Sequence, residues 1–467
     1  MSDPHWLDTA TRTGRYLRTL GSSLVLFASA TFYSLGVVPL VLSYADSSTL
    51  GLWILINQIG IWLGAVDLGL SASSIRFFVA PVKQRNFESF RAKFQVALFL
   101  AGLQGLAVAM FSFAGPWLGA LLSIPASQQE SFSKLLIVQA ITLGISFCFR
   151  PFASILLAAQ RYELNYLGNA ITFFLSLVLA WLGLREGWGL WSLMAGTVLQ
   201  SALTVLLSIY GVWRLGFLSE LFKKRDFTAK SLIQTVSESL SFAVGPTAVI
   251  GGGLLQSVFL SRCFGLEMVA VWNVGAKAAT VLSQILSKLF ESSFSGLSEL
   301  LEAGLRDRMF NRFGQLLGWS MVFCAGLALI LLVGNDLFIR VWTHGKINWP
   351  LGGTIAVALM LLAGTLHRAL AEATKILVLW NPIRFGPLLD IASLFICLAA
   401  AFWQGGFEAF VFAVALGPFL GGLVGNYLAI RKAAAIPLVN LIPPAARVLF
   451  VILIVGGILT SARIIFH

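Results

Sequence analysis

The sequence predicts an all-α polytopic membrane protein built from two six-helix bundles and an additional C-terminal helix. Its 467 residues are 58% hydrophobic and only 11% charged, whereas about 25% of the residues of soluble chains are charged. The mean hydropathy is +0.87, and the chain contains 37 Phe and 14 Trp. This composition excludes the soluble globular and the intrinsically disordered classes.

About thirteen apolar stretches approach or exceed the ~20 residues that cross the hydrocarbon core of a bilayer as a helix. They are predicted at 19–44, 49–71, 94–122, 135–158, 166–184, 188–213, 237–262, 268–290, 316–338, 352–379, 386–404, 408–430 and 445–465. We expect the first stretch to be a retained helix, because no small-residue cleavage site follows a short apolar run.

The longest basic connection, at 214–236, divides the chain into halves of similar size. The predicted organisation is a cytosolic amphipathic segment at 1–18, a bundle at 19–213, a basic linker at 214–236, a bundle at 237–430, and a basic loop with the extra helix at 431–467. The count of helices is therefore twelve or thirteen, according to whether the last segment crosses fully.

Lys and Arg are concentrated in every second connection between the predicted spans. Twenty Lys and Arg lie in connections on the side of the N-terminus, and only six lie on the opposite side. The positive-inside rule explains this distribution and predicts a cytosolic N-terminus. The net charge of +12 therefore gives no reason to expect a nucleic-acid partner.

Several chemistries find no support in the sequence. The four Cys are isolated from one another, and His367 is alone within a span, so we expect no zinc site, haem or other cofactor. No GxxxxGK[ST] motif is present, which disfavours ATP-driven transport. Asp46 on the first external loop could assist a glycan transferase or ligase, but its position favours a helix cap.

The two halves show a weak internal repeat. The segment LSYADSSTLGLWIL around Trp53 aligns with SRCFGLEMVAVWNV around Trp272 at a spacing near 219. Six spans are an even number, so both halves enter the membrane from the same side and the repeat is parallel. The expected substrate site is a cavity between the two bundles.

The predicted eighth span carries a polar stripe on one face. Its members, at helical spacing, are Asn273, Lys277, Thr280, Gln284, Lys288 and Glu291. Lys288 and Glu291 are three residues apart, so they could pair with each other or line a cavity. Lys277 is about two turns from the nearest acid on its helix, which favours a role in the cavity.

Other spans also carry charges. In the second span one face would hold Asn57 and Asp67 and another Gln58 and Arg76, and only one of these faces can line a cavity. In the tenth span, Arg368 and Glu372 are spaced for an intrahelical pair.

Arg150 and Asp390 are lone charges that we expect to find partners on neighbouring helices. The predicted interior is cationic on balance, which favours anionic cargo such as a phosphate or pyrophosphate head group.

The second span also resembles a known family. Its segment GLWILINQIGIWLGAVDLGLSASSIRFF carries a Gly-x-Trp opening and an Asp-x-Gly-Leu ending followed by Arg, formed by Gly51, Trp53, Asp67, Gly69, Leu70 and Arg76. The pattern is similar to that of the polysaccharide-transporter branch of the multidrug/oligosaccharidyl-lipid/polysaccharide (MOP) exporter superfamily, the Wzx-like flippases. The plan of six plus six helices agrees over about residues 19–430.

The resemblance implies a non-enzymatic flippase of the bacterial inner membrane. Such a protein moves undecaprenyl-pyrophosphate-linked oligosaccharide to the outer leaflet by alternating access, among membrane lipids and beside polysaccharide polymerase or ligase machinery. Arg76, Lys277 and Lys288 would hold the anionic head. The residues that would bind the glycan are Asn57, Gln58, Gln256, Asn273 and Gln284.

The remaining charges, Asp67, Glu291, Arg368 and Glu372, would serve coupling or structure. The alternatives are a MATE-type drug/cation antiporter, which Asp67 favours, and a polytopic glycan transferase or ligase.

Overall fold

The computed structural model describes residues 12–84, 86–221, 229–377, 379–404 and 406–434, which form helices and short connections. The helices are α1 (Arg12–Tyr44), α2 (Ser47–Leu63), α3 (Leu70–Gln84), α4 (Phe87–Met110), α5 (Gly115–Leu121), α6 (Ala126–Ala158), α7 (Tyr162–Arg185), α8 (Leu190–Arg214), α9 (Ala229–Gly275), α10 (Lys277–Glu302), α11 (Arg306–Trp342), α12 (Leu351–Ile376), α13 (Trp380–Gln404) and α14 (Phe407–Ala434). The predicted all-α class is confirmed.

The chain divides into two compact units, Met1–Pro246 and Thr247–His467, and the division falls within α9. Helix bounds recur between the units. Helix α4 begins at Phe87 and α11 at Arg306, 219 positions later; α7 begins at Tyr162 and α13 at Trp380, 218 positions later. This recurrence agrees with the spacing of the predicted internal repeat.

Eleven helices in the described part of the chain are long and apolar enough to cross a membrane, against about thirteen predicted. The predicted eighth span, 268–290, differs because it is not one helix: α9 ends at Gly275 and α10 begins at Lys277. Helix α10 carries the polar stripe, which lowers its hydropathy below that of a candidate span. The predicted thirteenth span and most of the amphipathic 1–18 segment lie outside the described residues.

Helix α9 is two helical segments joined at Gly265. The φ of 80° and ψ of 177° at that residue interrupt the helical backbone, and glycine tolerates such a positive φ without a steric penalty. The part of α9 that is long and apolar enough to cross a membrane is Gly251–Gly275. It begins and ends later in the chain than the predicted seventh span at 237–262. The first unit has a corresponding interruption between α1 and α2, at 45–46.

Aromatic packing holds α3, α4 and α6 of the first unit together. Phe78 and Phe90 form an edge-to-face pair with ring centroids 5.6 Å apart, and Phe94 and Phe152 form another at 5.2 Å. Phe78, Phe90 and Phe94 are fully buried. Edge-to-face rings stabilise a core beyond their buried area, so this cluster stabilises the packing of α3 against α4.

Candidate functional site

The second predicted span is broken beside Asp67. After α2 the chain makes a 3-10 turn over Gly64–Asp67, and then Leu68 and Gly69 adopt positive φ values of 43° and 76° before α3 begins. A 3-10 turn has three residues per turn instead of 3.6, and residues with positive φ cannot continue a right-handed helix. The prediction of one continuous helix over 49–71 is therefore wrong, and so are the two faces drawn along it.

Asp67 organises a polar cluster at this break. Its Oδ1 accepts a hydrogen bond from Ser71 Oγ at 2.6 Å, and its Oδ2 accepts one from the Ser71 backbone N–H at 3.2 Å. Gln104 of α4 donates to the Asp67 carbonyl at 2.9 Å. The carboxylate thus caps the first turn of α3, where a negative charge is favourable.

Arg150 on α6 is the charge partner of Asp67. Its Nη1 lies 3.0 Å from Asp67 Oδ1, with side-chain exposures of 35% for Arg150 and 19% for Asp67. The guanidinium carbon lies 3.4 Å from the centroid of the Phe147 ring, a cation–π contact. The expectation that Arg150 has a partner on a neighbouring helix is confirmed, and Asp67 is already neutralised.

The other predicted site residues of the first unit lie on either side of the break. Asn57 on α2 is half-buried and donates to the Trp53 carbonyl of its own helix at 3.0 Å. Gln58 is half-buried, and Arg76 on α3 is exposed. Within the described part of the chain, Arg76 has no ion-pair partner. Its charge is therefore available to a ligand.

In the second unit, packing at the α9–α10 joint places Lys277. Trp349 packs against Gly275, where a Cβ would collide with the indole, and against Trp272 at a centroid distance of 6.3 Å. The buried Asn335 of α11 donates to the Gly275 carbonyl at 3.2 Å. These contacts fix the end of α9, so that Lys277 is the first residue of α10.

The polar stripe continues across this joint. The helical bonds Ala276 N–H to Trp272 O and Thr280 N–H to Ala276 O, both 2.9 Å, preserve the register. Asn273 and Lys277 are half-buried, whereas Thr280, Gln284 and Lys288 are exposed. The side chain of Glu291 lies outside what the structure describes, so the Lys288–Glu291 pair stays a prediction.

Lys277 differs from most other cations of the second unit. Among the described residues no side chain forms an ion pair or hydrogen bond with it, although it is half-buried. A buried cation without a partner is costly, and in membrane helices such a group marks a ligand or ion pathway. Lys277 is therefore the strongest candidate for contact with an anion.

The predicted Arg368–Glu372 pair is wrong. Glu372 Oε1 instead accepts from Lys375 Nζ at 2.6 Å, three residues along α12. Arg368 is exposed, while Glu372 is only 13% exposed. The Lys375 stem reaches this carboxylate within one turn.

A His–Asp pair in the second unit was not identified from the sequence. His367 Nε2 on α12 lies 2.9 Å from Asp390 Oδ2 on α13, and the Gly422 N–H of α14 donates to Asp390 Oδ1 at 2.8 Å. A Cβ at residue 422 would collide with both side chains, so glycine is required by the close approach. The expectation that Asp390 has a partner on a neighbouring helix is confirmed.

Two further predicted residues have identifiable contacts. Gln256 on α9 donates to the Val414 carbonyl of α14 at 3.5 Å, a long hydrogen bond between helices. Asp46 is the N-cap of α2 and accepts from the Thr49 N–H at 2.9 Å. Hydrogen bonds from Thr49 lower the pKa of Asp46 below its ordinary value. The interpretation of Asp46 as a helix cap is confirmed.

The acids and the cations of the predicted sites differ in pairing. Asp67, Glu372 and Asp390 each contact a basic side chain within 3.0 Å. In the described part of the chain, Arg76, Lys277 and Arg368 have no such partner. Among the predicted site residues whose side chains are described, those without an ion-pair partner in either unit are therefore basic.

Solved transporter structures share this architecture. A lipid II flippase, MurJ, in an inward closed conformation matches with a TM-score of 0.69 and 12% identity over 94% of this chain and 91% of that one. An inward-facing MATE family multidrug transporter matches with a TM-score of 0.66 and 12% identity over 87% of this chain and 94% of that one. The chain has the fold of MOP-superfamily transporters.

An outward-facing MATE transporter matches with a TM-score of 0.61 and 13% identity over 93% of this chain and 99% of that one. No protein-family model and no curated protein sequence matches the chain. The similarity establishes the fold, and the eleven helices that are long and apolar enough to cross a membrane in the described part of the chain agree with it.

Proposed function

We propose that this protein is a flippase that moves an anionic, lipid-linked oligosaccharide from the cytosolic to the outer leaflet of a bacterial inner membrane. The cargo we propose is undecaprenyl-pyrophosphate-linked glycan destined for a surface polysaccharide. The MOP-type fold supports transport as the general activity. One structural neighbour is a lipid II flippase, which is consistent with a lipid-linked cargo.

The observation that carries the proposal is the half-buried, unpartnered ammonium of Lys277 at the start of a polar helix. A pyrophosphate supplies several oxygen acceptors, and charge-assisted hydrogen bonds to such groups are the strong ones. Farther along α10, the hydroxyl group of Thr280 and the amide group of Gln284 would form hydrogen bonds with the attached sugars. Arg76 in the first unit supplies a second free guanidinium.

A drug or cation antiporter is the competing function, because MATE multidrug transporters are among the structural neighbours. Such a protein binds a positively charged cargo with free carboxylates. Here Asp67, Glu372 and Asp390 already contact basic groups, which supports anionic cargo instead. A transferase acid at Asp46 is disfavoured, because that carboxylate caps α2.

The leaflet distribution of undecaprenyl-linked oligosaccharide in cells lacking the protein tests this proposal. An external glycan-modifying enzyme labels outward-facing lipid, and mass analysis measures the total pool. We expect complete intermediate to accumulate facing the cytosol, and reintroduced wild type to reverse it. A normal distribution contradicts the proposal, and outward-facing glycan left untransferred indicates a ligase.

A matched pair of variants connects the phenotype to the site. Lys277→Ala, present in the membrane at wild-type level, should fail to reverse the accumulation, whereas Lys277→Arg should reverse it because the positive charge is kept. Arg308→Gln removes an exposed cation from the start of α11 and serves as the control. Equal complementation by all three variants contradicts the role of Lys277.

A further inference from the structure

A mixed-charge cavity lies where α7 begins and α8 ends. It has a volume of about 300 Å³ and is lined by Arg161, Glu163, Leu164, Gly211, Arg214 and Leu215. The candidate spans Glu163–Arg185 and Leu190–Arg214 terminate at this point. The cavity is therefore at the level where a span leaves the hydrocarbon and meets lipid head groups.

Aromatic residues support this placement. Tyr210 and Trp213 in the last turn of α8 are 48% and 60% exposed, and their ring centroids are 5.8 Å apart. Exposed Tyr and Trp concentrate at membrane interfaces, where one end of the ring is apolar and the other contacts water. The same helix end thus provides both the interfacial aromatics and the charged lining.

The charges of the cavity have two signs. Arg161 Nη1 lies 3.0 Å from Glu163 Oε1, with side-chain exposures of 26% and 25%. Arg214 is exposed and has no ion-pair partner among the described residues. The lining therefore offers a free guanidinium, which matches a phosphodiester. It also offers the carboxylate of Glu163, in which Oε1 contacts Arg161. The second oxygen, Oε2, can accept a hydrogen bond from a ligand that has an N–H donor.

We propose that this cavity binds the head group of an aminophospholipid, with the phosphodiester on Arg214 and the primary ammonium on Glu163. Phosphoethanolamine carries both groups a few bonds apart. Phosphoglycerol lacks the cation, and phosphocholine has a methylated cation without N–H donors. Glu163 would therefore select among lipids, while Arg214 would hold the phosphate that they share.

The α8 wall of the cavity packs closely against α6. Gly211 is buried, and a Cβ there would contact the Leu156 methyl groups at 2.8 and 2.9 Å. Beyond Leu164, the seam between α7 and α8 is held by Thr204 Oγ1, which donates to Asn169 Oδ1 at 2.7 Å. This hydrogen bond joins the two helices whose ends line the cavity.

Native mass spectrometry of the purified full chain in detergent tests the proposal. Phosphatidylethanolamine, phosphatidylglycerol and phosphatidylcholine with identical acyl chains are supplied together. We expect wild type to retain phosphatidylethanolamine about five-fold more than either competitor, the change that one partly exposed charge contact provides. Equal retention of the three lipids overturns the proposal.

Variants separate the roles of the two charges. Arg214→Gln should lower the retention of phosphatidylethanolamine about five-fold, and Arg214→Lys should keep most of it. Glu163→Gln should remove the preference for phosphatidylethanolamine, because a neutral amide no longer attracts the primary ammonium. Arg308→Gln, an exposed arginine outside the cavity, is the matched control. Unchanged retention in Arg214→Gln protein that keeps its melting temperature overturns the proposal.

A competition experiment distinguishes a lipid site from a simple anion site. Glycerophosphoethanolamine should displace the lipid at concentrations at which inorganic phosphate does not, because only the former engages Glu163. Displacement by inorganic phosphate alone overturns the selection of an aminophospholipid. None of these measurements depends on flipping, so their outcome is independent of the proposed function.

Discussion

The Asp67–Arg150 pair at the break between α2 and α3 should be energetically coupled. Asp67→Asn keeps the size of the side chain and an oxygen for Ser71, but it removes the charge 3.0 Å from Arg150. Hydrogen bonds to charged groups contribute about 1.5–3 kcal/mol. Because Arg150 is 35% exposed, water screens the pair, and we expect a loss of about 1–2 kcal/mol.

A double-mutant cycle isolates this term. Asp67→Asn, Arg150→Gln and the double variant are unfolded in mixed micelles by increasing SDS, with tryptophan fluorescence reporting the free energy of unfolding. The double variant should lose about 1–2 kcal/mol less than the sum of the single losses, because the second change removes a charge already left unpaired. Activity is not needed for this measurement.

A solvated pair provides the control. Lys134 and Glu130 on α6 are 2.6 Å apart, closer than Arg150 and Asp67, but 59% and 79% of their side chains are exposed. The same cycle on this pair should show no measurable coupling, since exposed pairs gain little in water. If the Asp67–Arg150 cycle is additive within about 0.3 kcal/mol, the assignment of a coupled pair at the break is refuted.

Three further predictions concern other residues. Lys277→Ala should slow reconstituted transport at least about ten-fold, because it removes one charge-assisted contact with the cargo. Lys277→Arg keeps the charge and should transport at nearly the wild-type rate. Equal rates for Lys277→Ala and wild type contradict this prediction. Gly422→Ala should lower the free energy of unfolding by about 1–3 kcal/mol, because its Cβ would lie 2.6 Å from Asp390 Oδ1; unchanged SDS unfolding would exclude this close approach. Asp46→Ala should cost about 1 kcal/mol through loss of the helix cap. Because Thr49 lowers the pKa of Asp46 below 3.8, this difference should be constant from about pH 5 to 8 and shrink only under stronger acid; a difference that vanishes near neutral pH argues against the cap.

The apolar stretches determined most helices but not their interruptions. Hydropathy averages over a window, so the run from Gly60 to Leu70 reads as one span although the chain turns at Leu68. The available signal was local, because Gly64 and Gly69 flank Asp67. Asp is a preferred residue at the N-terminus of a helix, and Gly tolerates a positive φ. This combination of residues therefore indicates that a helix can end and a new one begin here.

Charge partners were predictable where the partner was local and unique. Asp46 had a cap position at the start of α2, and the structure confirms it. Glu372 had two basic residues at suitable helical spacing, Arg368 and Lys375, and only side-chain packing decides that Lys375 makes the contact. Spacing alone cannot rank such alternatives, because both positions are close on a helix surface.

Partners that are distant in sequence required the tertiary structure. Arg150 and Asp67 are 83 residues apart, and His367 and Asp390 meet because α14 offers backbone instead of a side chain at Gly422. The double glycine at 421–422 was a usable indication of a close helix contact. It did not identify which titratable groups would fill the space.

The central claim is that the protein moves an anionic lipid-linked glycan between leaflets. The most direct measurement uses purified protein in vesicles that carry undecaprenyl-pyrophosphate-linked oligosaccharide, with an impermeant glycan-modifying enzyme added outside. With wild type, the inner-leaflet pool should become accessible with time, and with Lys277→Ala it should stay protected as in protein-free vesicles. Protection that is equal with wild type and without protein, while the same vesicles accumulate an organic cation, would contradict the claim.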